Sequence, residues 1–254
     1  MTTLGGMERR VILEVLVDSV ESGRAAVEGG ADRLEVCQNL FEGGTTPSAG
    51  LIAALKRAVD LPLNVMIRPR GGDFCYSECE FEVMRQDIRI ARELGAAGIV
   101  LGLLNPDGTV DTARTAELMA LARPLSVTFH RAIDMTRDLD EALEALVALG
   151  VDRVLTSGGE ATVIEGVDAI AGLVRRAGDR IVVMPGGGIR ERNVAKVLAQ
   201  TGAREIHVSG SRAVESRMEF RNGRVAMGKD LRAPEFSHNQ VDPGRVATYR
   251  RLVG

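Results

Sequence analysis

Lysine is nearly missing from this chain, which holds 3 lysines (Lys56, Lys196 and Lys229) against 29 arginines in 254 residues. Codon bias in a GC-rich genome produces such a ratio, but it also limits the chemistry. None of the three falls on a predicted strand, which argues against Schiff-base aldolase catalysis. Cysteine is scarce as well. Cys37, Cys75 and Cys79 are an odd number and make no disulfide framework, so a reducing compartment, the cytosol, is expected. There is no charge excess: a net charge of −3 argues against nucleic acid as a partner. There is no long apolar run either. Arg9-Arg10 precede an apolar stretch that Glu14 and Asp18 interrupt, so neither a signal peptide nor a membrane partner is expected, and residues 1–10 read as a loose tail. A dinucleotide fingerprint, a Walker A motif and a Gly-x-Ser-x-Gly elbow are all absent, and no nucleotide cofactor is expected.

What is present is an alternation. Eight short β-rich runs (11–18, 33–37, 63–70, 97–104, 125–132, 152–157, 180–185 and 204–209) are separated by segments with helical apolar spacing, such as Leu139, Leu143, Leu146 and Val147. The even runs are each entered through a glycine: GADRLEV at Gly30, GAAGIVL at Gly95, GVDRVLT at Gly150 and GAREIHV at Gly202. A left-handed glycine cap before each strand fits that pattern. Strand–helix alternation implies parallel strands and right-handed crossovers. Eight units in this length predict a single (β/α)8 TIM barrel over residues 11–254, with a doubly wound sheet as the alternative. After the eighth strand the pattern breaks. Residues 212–241 form an insert in which Asn222-Gly223, between alternating runs, predicts a type I′ hairpin. Such an insert is a lid or a subunit contact. Asp242-Pro243 then caps a last helix holding Val246, Tyr249 and Leu252.

Alternate strand residues face opposite sides. Leu13, Val15, Leu34, Val36, Val65, Val127, Phe129, Ile206 and Val208 form the outward set that meets the helices. The lumen set then reads Glu14, Glu35, Cys37, Asn64, Arg68, Arg70, Thr128, His130, Glu205, His207 and Ser209. Most barrel interiors are branched aliphatic; this one is predicted to be polar and ionic. Mutual neutralisation of buried charges is one account of it. The other is a site in which Glu14, Glu35, Arg68, His130 and His207 do acid–base work or hold a divalent metal.

Strand seven ends in Gly186-Gly187-Gly188 and strand eight in Ser209-Gly210-Ser211. Loops after strands seven and eight often bind an anion through backbone N–H groups. Gly186, Gly187, Gly188 and Ser209 are therefore candidate anion ligands, and Arg68, Arg70 and Arg131 candidate cationic partners. Cys75 and Cys79, with Cys37 on strand two, are soft donors of the kind Cu(I) prefers, although small buried or surface thiols read the same way.

Several stretches together resemble the copper homeostasis protein family called CutC: LEVCQNLFEGGTTPSAGLI (34–52), NVMIRPRGGDFCYSE (64–78), DGTVD (107–111), TFHRAID (128–134), RVLTSGG (153–159), MPGGGI (184–189) and EIHVSGS (205–211). The resemblance implies a cytoplasmic TIM barrel, a homodimer, and a copper ion as ligand, with Cu(I) on Cys37 and Cys75. Two functions follow as expectations: a cytosolic Cu(I)-binding copper-homeostasis protein, and a TIM-barrel enzyme acting on a small anionic, phosphorylated or carboxylated, ligand.

Overall fold

Each predicted apolar run becomes a short strand, and each helical segment packs over the next. The computed structural model describes residues 10–225 and 237–254. The strands are β1 Ile12–Val17, β2 Arg33–Val36, β3 Leu63–Met66, β4 Gly98–Leu101, β5 Ser126–Phe129, β6 Arg153–Thr156, β7 Val182–Pro185 and β8 Glu205–Val208. They pair in parallel in the order β7-β6-β5-β4-β3-β2-β1-β8, and β7 abuts β8 at the remaining seam. Helices α1 Val20–Glu28, α2 Ala49–Ala58, α3 Glu78–Glu93, α4 Thr112–Ala122, α5 Leu139–Leu149, α6 Val167–Ala177 and α7 Val194–Thr201 follow the strands in turn, and α8 Pro243–Val253 ends the chain. This is the (β/α)8 barrel that the alternation predicts.

Local chemistry explains the helix ends. Ser77 and Glu80 form a reciprocal capping box at α3, and Asp138 accepts the N–H groups of Asp140 and Glu141 at α5. Gly150 closes α5 with φ +74°, a conformation that favours glycine. The outward strand residues Leu13, Val15, Leu34, Val65, Val127, Phe129 and Ile206 are fully buried against the helices. They supply the continuous apolar layer that holds helices to sheet.

Three expectations shift. The predicted third strand stops at Met66: the Arg68 N–H bonds the Thr46 hydroxyl and its carbonyl the Thr46 N–H, in place of a neighbouring strand. Arg70 therefore lies beyond the reach of strand parity. In α8, Val246 and Tyr249 are buried, but Val253 faces inward and Leu252 is exposed. In the insert, the paired strands are β9 Ser211–Glu215 and β10 Ser237–Val241, antiparallel, with Ser211 opposite Val241. Residues 218–222 carry no strand, so the hairpin arms lie outside Asn222-Gly223. The segment 226–236 is outside the described residues, as is the expected tail apart from Arg10, which pairs with Asp32.

Candidate functional site

The strand register brings the lumen charges together before any side chain is placed. Glu14 stands opposite Arg33 on β2 and opposite His207 on β8, and Glu35 stands opposite Leu16 and Asn64. Glu14, Glu35, Asn64 and His207 are buried, Glu14 completely and Glu35 to within 2%, and Arg33 is half-buried. Buried charges must be paired, and here they are. Arg153 grips Glu205 with two nitrogens, Arg33 bridges Glu205 and Glu14, and Asn64 donates to Glu14 at 3.1 Å. Arg33 and Arg153 thus anchor the lower lumen. The alternation Arg153, Leu155, Ser157 marks Arg153 as lumen-facing in the sequence too.

Above this layer sits a three-part relay. His207 Nδ1 lies 2.8 Å from Glu14 Oε1, and His207 Nε2 lies 3.8 Å from Glu35 Oε2. Burial alone would raise the Glu14 pKa, but the His207 hydrogen bond and the Arg33 charge hold it down at about 2. Glu14 is therefore a carboxylate that orients the ring with its Nδ1–H inward. For His207, burial opposes protonation, but the Glu35 charge and the bond to Glu14 prevail, so its pKa is raised. Burial likewise raises the Glu35 pKa. The two groups face each other across 3.8 Å.

Glu35 and His207 floor a cavity of about 970 Å³ at the C-terminal end of the strands, where barrels hold their ligands. Gly187, Gly188 and Ile189 line its wall, and their N–H groups have no acceptor among the described residues. Ser209 is exposed on the same wall. Arg131 leans over Gly187: a Cβ added there would come within 3.1 Å of its guanidinium. Asp134 aims that arginine. Its buried carboxylate accepts from Arg131 Nε, from the Ser157 hydroxyl and N–H, and from the Gly159 N–H. Arg131 Nη2 donates to Ser157 and Glu160, and Nη1 keeps no acceptor among the described residues. Arg190 adds a second guanidinium to the rim. The key part of Asp134 is not evident from sequence, although its spacing of three from Arg131 on a single helical turn, Arg131–Met135, was a usable signal.

The remaining candidates fall elsewhere. Gly186 is not in the cradle: its N–H donates to Thr156, and it packs against Leu155 and His207. Arg68 lines the cavity, but its guanidinium is used on the carbonyls of Glu42, Gly44 and Gly72, so it ties two loops together. Arg70 points away, to Glu80 and Asp73, under the start of α3. His130 is buried on the cavity wall, and burial with the Arg68 charge pushes its pKa down to about 3. Cys37 is buried, donates to Glu35 at 3.4 Å and packs with Met66; burial beside Glu35 raises its thiol pKa well above the usual value. Cys75 and Cys79 are exposed, so Cys37 and Cys75 lie in different environments.

Among the described residues, one group of three side chains could surround a metal ion, Glu14, Glu35 and His207, with ligand atoms all within 4.8 Å. Its oxygen and nitrogen donors suit a divalent ion better than Cu(I). Glu14, however, already takes Arg33, Asn64 and His207, which leaves Glu35 and His207 Nε2 as the available donors. No described helix is long and apolar enough to cross a membrane.

Known proteins place this barrel. A sequence model of the CutC family matches residues 11–212. A human copper homeostasis protein cutC homolog is 51% identical over 98% of this chain and 91% of its own length. A CutC family protein of Parabacteroides distasonis is 46% identical over 94% of this chain and 98% of its own. The solved structure of the copper homeostasis protein CutC from Streptococcus agalactiae aligns with a TM-score of 0.74 at 33% identity, covering 78% of this chain and 97% of that one. The long motifs, the barrel and these relatives agree: the chain belongs to the CutC family of copper homeostasis proteins.

Proposed function

We propose that the mouth of this barrel binds a small phosphorylated or carboxylated molecule and performs acid–base chemistry on it through His207 and Glu35. One arrangement carries the reading. A loop with three N–H groups that have no acceptor among the described residues, and a guanidinium held over it, share a cavity with an imidazole and a carboxyl group 3.8 Å apart at its floor. Glycine at 187, with φ +105°, lets the backbone approach an anion closely. Glu14 keeps His207 Nε2 turned toward the cavity side. Acid–base chemistry is favoured over metal-assisted chemistry because Glu14, the third donor, is fully occupied. Crystals soaked with inorganic phosphate test the assignment. Density on the N–H groups of Gly187–Ile189, beside Arg131, is expected; phosphate bound elsewhere with this loop bare contradicts it.

Copper binding is a second reading, and it too has an observation in its favour. Cys37 and the Met66 thioether, both soft donors, pack together beside the cavity, with Gly44 closing over them. In this reading the protein works in the reducing cytosol and Cu(I) is its cargo, held on Cys37 with Cys75 joining it. Anaerobic Cu(I) titration of the Cys37→Ser/Cys75→Ser variant decides the matter. Lost affinity supports the reading, and unchanged affinity contradicts it.

A further inference from the structure

Among the residues lining the cavity, three polar side-chain atoms are buried without a partner: Glu35 Oε1, Arg68 Nε and His130 Nε2. An orphaned buried group costs on the order of 1–3 kcal/mol, and native structures keep few of them. His130 is the informative one because its state is fixed from the other side. The Ala132 N–H donates to His130 Nδ1 at 3.1 Å. Nδ1 is therefore an acceptor without a proton, and the neutral ring carries its hydrogen on Nε2. The ring is also held in place. A Cβ at Gly102 would strike Cε1 at 2.4 Å and Nδ1 at 2.5 Å, so only glycine fits behind it. The Phe74 ring packs in front with its centroid at 5.0 Å. The protein thus builds a fixed neutral N–H donor in the wall of the cavity and gives it nothing to bond.

We infer that His130 donates this hydrogen bond to the carbonyl oxygen of an α-hydroxycarbonyl phosphate, and that His207 and Glu35 move a proton between its two adjacent carbons. This rests on the anion site proposed above. A neutral imidazole N–H polarises a carbonyl and stabilises the enediolate that forms from it. Glu35 Oε1, the orphaned acceptor, is matched by the neighbouring hydroxyl. The scarcity of lysine fits, since this route needs no imine. The step balances without a co-reactant. The C–H bond at the hydroxyl-bearing carbon breaks, its proton passes to the His207–Glu35 pair, and its electrons form the C=C bond of an enediolate as the carbonyl π pair moves onto oxygen. The hydroxyl proton crosses to the former carbonyl oxygen. The pair then returns a proton to the former carbonyl carbon, and the product is an isomer of the substrate. Phe74 lines the cavity and contacts both His130 and the Arg68 guanidinium; it is the group that gives way as the ligand reaches Nε2.

The test follows hydrogen exchange in D2O. The full chain is incubated with dihydroxyacetone phosphate and with glyceraldehyde 3-phosphate, and loss of the carbon-bound proton signal is read by NMR. Exchange above the protein-free rate is expected, reduced roughly a hundredfold by His130→Asn, with inorganic phosphate binding unchanged. If His130→Asn does not fold, His130→Gln is read instead; its amide N–H restores a donor and is expected to retain part of the exchange. Phosphate binding without exchange, or exchange that ignores position 130, overturns this inference and leaves the anion site standing. Failure to bind phosphate overturns both.

Discussion

Glu14 Oε1 and His207 Nδ1 lie 2.8 Å apart on adjacent strands, in a register where each faces the other across the β1–β8 ladder. The contact fixes the tautomer of His207 and, after the Glu35 charge, helps raise its pKa against burial. In Glu14→Gln the charge is gone while an acceptor oxygen remains. The His207 pKa then falls, by about one unit or more, which an NMR titration of the imidazole reads directly. Stability moves with it. A raised folded-state pKa contributes stability below the unfolded value near 6.5 that is lost as pH rises through the folded value. The variant keeps only the part of that dependence that the Glu35 charge supplies. An unshifted His207 titration contradicts the orientation assigned to the pair.

The opposite sign holds at His130. Its folded pKa, about 3, lies below the unfolded value. As pH falls, the unfolded chain takes up the proton first, so the contribution is full above about 6.5 and is lost on the way down. Between pH 7.5 and 5.0 the wild type should lose about 2 kcal/mol more than His130→Asn, measured by urea denaturation. A constant gap between the two proteins contradicts a neutral, buried ring.

Arg33 joins Glu14 to Glu205 in the lower lumen. Arg33→Met leaves both carboxylates short of a partner. A loss of roughly 3–5 kcal/mol is expected, seen as a fall in Tm of about 10 °C for a chain of this size. A change within a degree means the lumen charges are not coupled in this way.

The three cysteines should separate under native thiol labelling. Cys75 and Cys79 are exposed and react at once; Cys37 is buried, with a thiol that resists ionisation, and reacts only on unfolding. Mass spectrometry after timed alkylation checks the order. Rapid native labelling of Cys37 contradicts its place beside Glu35.

The strands and their parity were legible because a two-residue period puts apolar side chains on one face with little ambiguity, and Glu14, Glu35 and His207 followed from it. What was not legible is which groups consume a guanidinium. Arg68 and Arg70 carry the same side chain two residues apart, yet Arg68 is spent on loop carbonyls and Arg70 on the cap of α3. Those partners belong to loops whose paths no periodicity sets. Asp134 was missed for the same reason: its donors come from the turn after β6. The hairpin was displaced because the turn signal at Asn222-Gly223 is local, whereas β9 and β10 pair across a long separation.

The central claim, that the β7 loop and Arg131 form an anion site above the His207–Glu35 floor, meets its most direct test in calorimetry. Inorganic phosphate is titrated into the wild-type chain and into Arg131→Met. Saturable one-to-one binding that weakens roughly tenfold, about 1.4 kcal/mol, in the variant is the predicted result. No binding by the wild type, or equal binding by both, contradicts it.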